Sequence, residues 1–130
     1  MQDQPIPTEL TRAVADFLRH DILPTIGGHN AFKLRVAINA LDLVTRQLTL
    51  AQDSDTAEAA RLAQLLEMQG SLADLNRSLA DRIASGEADL QTPGLAEHLW
   101  HTTMDKLAVD QPNYASYKRE LGRDGPTTKP

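Results

Sequence analysis

NAFKLRVAINALDLVTRQLTL, residues 30–50, is the most apolar stretch of the chain. Its apolar side chains are Phe32, Leu34, Val36, Ala37, Ile38, Ala40, Leu41, Leu43, Val44, Leu48 and Leu50. They follow no period-2 alternation, and no Gly or Pro interrupts them. A run of this length reads as a helix rather than a strand. A helix that is apolar over most of its circumference is ordinarily covered on several sides. This one is therefore expected to be the central helix of an all-α bundle.

Composition agrees. The chain holds 17 Ala and 19 Leu against 4 Val and 5 Ile, and Ala and Leu are the better helix formers. At 130 residues the length fits one domain. With no Cys, thiolate metal sites, thiol nucleophiles and disulfide frameworks are excluded. No apolar run approaches the roughly 18 residues of a membrane span. The opening MQDQPIPTEL has neither a basic nor an apolar leader segment, so the expected compartment is the cytoplasm.

Working outward, a first helix is expected from Thr8, after Pro5 and Pro7, with Leu10, Val14, Phe17, Leu18 and Ile22 as its stripe and Pro24 to Gly28 as its end. After the central helix, a loop at 51–54 precedes a third helix from Asp55 to Met68, where Asp55 and Glu58 have the spacing of a capping box. Ser71 with Asp74 opens a fourth helix that Gly86 closes. Thr92-Pro93 opens a fifth that stops at Asp110 to Pro112. A short helical turn over Tyr114–Leu121 completes a compact bundle of about five helices. The expected organisation is an extended lead-in over 1–7, one helical domain over 8–121 and a disordered tail over 122–130.

The net charge of -5 is local. Residues 1–50 hold five basic and five acidic side chains, whereas 51–100 hold three basic (Arg61, Arg77, Arg82) and nine acidic. An acidic middle disfavours nucleic acid and anionic membrane surfaces as partners.

Three constellations are candidates for chemistry. Arg35, Asn39, Asp42 and Arg46 are spaced four, three and four apart, which places them within about 60° on a helix. Arg35, Asn39 and Arg46 suit a small carboxylate or phosphate. Asp42 suits an ion pair with either Arg, and the same stripe reads equally as a solvent face or a salt-bridge ladder. Burial decides between these. His98, His101 and Asp105 share one face of the fifth helix and form a weak candidate set for a divalent metal, on the side facing water. Trp100 reads as core, while Tyr114 and Tyr117 suit either core or a partner contact. Phosphate loops, GxGxxG, GxSxG and HEXXH are absent from the sequence. No cofactor and no enzymatic activity are therefore expected.

The stretches FKLRVAINALDLVTRQL (Phe32–Leu48), KLAVDQPNYASYKR (Lys106–Arg119) and PTELTRAVADFLRHDILP (Pro7–Pro24) together resemble a small bacterial family of uncharacterised helical domains. That family occurs fused to, or encoded beside, aminoglycoside-phosphotransferase-like kinases, often near acyl-CoA dehydrogenases. The positions that fit its pattern are Arg35, Asn39, Lys106, Asp110, Pro112 and Tyr114. The resemblance covers about residues 8–120. It implies a non-catalytic accessory or interaction domain, partnered in trans by such a kinase or dehydrogenase or assembled as a homo-oligomer. The alternative is a small anionic-ligand-binding bundle built on Arg35, Asn39 and Arg46.

Overall fold

The computed structural model describes residues 3–123. The protein is all-α, with five α-helices and no strand among the described residues. They are α1 (Pro7–Phe17), α2 (Gly28–Leu66), α3 (Leu72–Ser85), α4 (Leu95–Asp110) and α5 (Ala115–Arg123). Between α1 and α2 the chain winds through a π turn, Leu18–Ile22, and a 3-10 turn, Leu23–Thr25. It divides into two compact units, Met1–Gln52 and Asp53–Pro130.

The largest correction concerns α2. The expected loop at 51–54 and the separate third helix do not exist, because residues 28–66 form one helix of 39 residues. Asp53, Ser54 and Asp55 are cap-type residues, but Asp53 and Asp55 point into solvent. No Gly or Pro lies between His29 and Leu66 to break the ladder. A helix stops where something stops it, and polar side chains on the wet side do not.

Two helix starts also move. Pro7 occupies the first turn of α1 and Ile6 its N-cap, so Thr8 lies inside the helix. The Glu9 carboxylate accepts from the Ile6 N–H at 2.9 Å. The start expected at Thr92-Pro93 shifts to Leu95 with Gly94 as N-cap. Thr92 is already engaged: its hydroxyl accepts from the Asp89 N–H at 3.0 Å and its own N–H donates to the Asp89 carbonyl at 2.9 Å.

Other signals hold. Ser71 caps α3, accepting from the Asp74 N–H at 3.2 Å. Gly86 takes the left-handed C-cap with φ 79°, a conformation that costs other L-residues about 1–2 kcal/mol. α4 ends at Asp110. Gly122 and Arg123, placed in the tail by sequence, extend α5, and the rest of the expected tail lies outside the described residues.

In the second unit, Leu62 and Leu66 of α2, Leu75 and Leu79 of α3, Ala88 of the connection and Leu95 of α4 form one buried cluster. Leu65, Met68 and Leu72 pack on its edge. The first unit has a thin core of small or single side chains: Ala15, Ala31, Ile38 and Thr45. The expectation that residues 30–50 are covered on several sides is therefore corrected, since Phe32 is 60% exposed and Val36, Val44 and Leu48 are also open. Trp100, expected in the core, is exposed as well.

Candidate functional site

The first unit is a helical hairpin. Thr11 pairs with Thr45 at 2.7 Å and Arg19 with Asp42 at 2.7 Å. Numbers rise along α1 as they fall along α2, so the two helices run antiparallel. Arg19 continues to Asp16 at 2.8 Å, which makes it the hub of a three-residue ion network.

That network fixes the sense of the hairpin's two faces. At 100° per residue, Arg12, Arg19, Arg35, Asn39, Asp42 and Arg46 all lie roughly 40–100° to one side of the line joining the helices. The Arg19–Asp42 pair shows that this side is common to α1 and α2. Leu10, Val14 and Phe17 of α1 then fall roughly 70–130° to the other side, with Ala37, Val44 and Leu48 of α2 beside them. Leu10, Val14, Phe17, Val44 and Leu48 are 41–54% exposed. The hairpin has one open apolar face and one mainly polar face, at whose edge Phe32 stands exposed.

The stripe singled out from sequence lies on the polar face. Asp42 is paired with Arg19 of the π turn that continues α1. Arg35 and Asn39 are exposed and Arg46 is half-buried. Among the other family-pattern residues, Lys106, Asp110 and Tyr114 sit at the surface of the second unit and Pro112 is half-buried, as is Tyr117, the other candidate for a partner contact.

The second unit contains a cleft of about 460 Å³ beside the N-terminal turn of α4. Arg61, Leu65 and Glu67 line it from α2 and its end, Gly94, Glu97 and His98 from α4 and its cap. Gly94 has φ 83°, and Leu65 lies so close that a Cβ there would meet its side chain at 3.8 Å. Glu67 itself takes a left-handed φ of 54°, a strained conformation for a non-glycine residue.

His98 is corrected from a water-facing residue to a buried one, 3% exposed. Burial, reinforced by the Arg61 charge, holds its pKa below the usual 6.5, against an opposing pull from Glu58. Arg61 reaches Asp105 at 3.5 Å, and His101 reaches Glu97 at 3.7 Å. Asp105 and His101 thus turn to two different neighbours, and neither pairs with His98. Among the described residues no group of three or more His, Asp or Glu side chains is placed to hold a metal. Three buried polar atoms in this region have no hydrogen-bond partner: Arg61 Nε, His98 Nδ1 and Thr102 Oγ1. Sequence reasoning passed over Arg61, Glu67, Gly94 and Glu97. The available signal was Arg61, a cation set in the apolar run AARLAQLL.

A family model described as a domain of unknown function, DUF6285, matches residues 24–114. The chain belongs to the DUF6285 family. Every residue of the cleft lies inside the matched span, while α1 precedes it. No curated protein and no solved structure matches the chain.

Proposed function

We propose that this DUF6285 member is a non-catalytic interaction domain that works as a homodimer, two α1–α2 hairpins pairing through their apolar faces. The observation that carries this is the open set Leu10, Val14, Phe17, Val44 and Leu48 on one side of a two-helix layer. A helix pair must cover its apolar stripe against another layer. A second hairpin supplies a matching one and yields four helices around a shared core.

Two features favour a second copy as the occupant. Residues 1–50 have five charges of each sign, so like copies approach without net repulsion, whereas the acidic stretch 51–100 would repel its own kind. The open side chains amount to on the order of 400 Å² of apolar surface per copy, the size of the largest apolar patch on a typical monomer, which is often functional. With a polar rim this reaches the low end of a specific interface, about 1,200 Å² in total.

Following the resemblance drawn from sequence, the dimer serves a phosphotransferase-like kinase or an acyl-CoA-dehydrogenase-like enzyme in the cytoplasm. No helix among the described residues is long and apolar enough to cross a membrane. Sedimentation of the full chain tests the pairing. A concentration-dependent dimer is expected, converted to monomer by Leu10→Glu with Val44→Glu while the helical circular dichroism is kept. A wild-type chain that stays monomeric at about 100 μM, a concentration that populates micromolar dimers, overturns it.

A further inference from the structure

We infer that the second copy lies antiparallel across the hairpin, about a two-fold axis through Val44 that sets α2 on the partner's α2. This rests on the dimer proposed above and adds the arrangement of its interface. Two hairpins can pair symmetrically in two ways. An axis running along the helices sets α1 on the partner's α2. An axis crossing them sets α1 on α1 and α2 on α2, each pair antiparallel.

Three observations select the crossing axis. The apolar face of α2 reads the same in both directions from Val44. Ala37, Ala40, Val44, Leu48 and Ala51 lie within about 80° of one another on the helix, and all but the half-buried Ala51 are exposed. An antiparallel partner pairs positions equally far from the axis. Ala37 then meets the partner's Ala51, Ala40 meets the partner's Leu48, and Val44 meets its own copy. A two-fold interface requires this self-complementarity, and the alanines let the helices approach closely.

The same axis serves α1. The Thr11–Thr45 hydrogen bond at 2.7 Å sets the level of the two antiparallel helices, so Val44 stands level with residue 12. That is the midpoint of Leu10 and Val14, both exposed. The axis therefore lays Leu10 on the partner's Val14. By the same count Ala51 stands level with Pro5, before α1 begins at Pro7, so α1 of a partner paired lengthwise would stop short of it. Charge agrees. α2 runs on through Asp53, Asp55 and Glu58. An axis along the helices brings these carboxylates of both copies out at one end, where like charges repel. The crossing axis sends them to opposite ends.

The chain has no Cys, so introduced thiols report the arrangement. Full-length Val44→Cys, Leu48→Cys, Ala40→Cys and Leu10→Cys chains are oxidised alone and in mixed pairs at about 100 μM, where micromolar dimers are populated. Val44→Cys should link at least about tenfold faster than Leu48→Cys alone, because thiols held together act at an effective concentration of millimolar order. The two Leu48 positions lie about 12 Å apart along the crossed helices, beyond the reach of a disulfide. Leu48→Cys should link rapidly when mixed with Ala40→Cys and slowly when mixed with Leu10→Cys. Rapid linking of Leu48→Cys to Leu10→Cys with slow Val44→Cys overturns the crossing axis, and so do equal rates in every pair. The reduced chains are sedimented alongside. Chains that dimerise without linking at Val44 overturn the arrangement alone, whereas chains that stay monomeric overturn the dimer and the arrangement with it.

Discussion

The two units are built from the same long helix and the same residue types, yet they bury them differently. In the second unit, α2 lays Leu62 and Leu66 against Leu75, Leu79 and Leu95, and three of these large side chains are essentially inaccessible. In the first, α2 buries only Ala31, Ile38 and Thr45, and Thr45 pairs with Thr11 of α1. Its larger side chains, Phe32, Val36, Val44 and Leu48, stay open. Three helices meeting from different directions close a core; two helices share only one line of contact, and each keeps the rest of its circumference in water. The difference teaches that local hydrophobicity measures a demand for burial, and that the number of neighbours decides whether the demand is met within the chain.

The sharpest way to break this contrast is to truncate one leucine from each unit. Leu62→Ala, at 0% exposure, should cost about 3–5 kcal/mol, since transfer and cavity terms add in a closed core. Leu48→Ala, half exposed, should cost under about 1 kcal/mol in dilute monomer, and more as concentration rises into the dimer. Urea unfolding at two protein concentrations measures both. Equal costs in dilute solution would mean that the hairpin already has its cover.

The next effect is one of pH and belongs to the second unit alone. His98 in the unfolded chain titrates near 6.5, and in the folded chain its pKa is lower because burial, with Arg61, disfavours the imidazolium. Between the two values the unfolded state holds a proton that the folded state refuses. Its contribution to stability is therefore complete above about pH 6.5 and is lost as pH falls through that window. Stability compared between wild type and His98→Gln from pH 8 to pH 4.5 isolates the residue. The wild-type chain should show an added fall on acidification that the variant lacks. A parallel pair of curves would place His98 in water after all.

Much of the fold is legible in the residues. Ser71, Asp74 and Gly86 mark the ends of α3 because each satisfies a specific backbone need: a free N–H, an acid at the first turn and a left-handed φ. Asp53 to Asp55 and Thr92 mislead for the opposite reason. Cap-type residues act only where the backbone bonds are already absent or already taken, and neither is visible in residue identity. The polar stripe of α2 is correctly grouped by its spacing, but the ion pair of Asp42 is not, since Arg19 comes from 23 residues away. The cleft was least legible. Gly94 and His98 are one helical turn apart, but Arg61 and Glu67 come from about 30 residues earlier; they meet because Leu65 and Leu95 pack at the same core.

The smallest effect tests the polar face of the hairpin. Asp42→Asn keeps the volume and a hydrogen-bond acceptor while removing the charge that faces Arg19 at 2.7 Å. Both side chains are about a third exposed, so water and salt screen the pair, and its loss should cost only about 0.5–1 kcal/mol. Arg19 also keeps Asp16 at 2.8 Å, which softens the loss further. The cost should shrink as sodium chloride is raised from 0.05 to about 0.5 M, whereas the penalty of Leu62→Ala, set by apolar contact, should not shrink. A salt-insensitive cost above about 2 kcal/mol would mean that Asp42 is desolvated in solution. In that case a second layer covers the polar face of the hairpin, and the dimer would have to be rebuilt through Arg35, Asn39 and Arg46 instead of Val44 and Leu48.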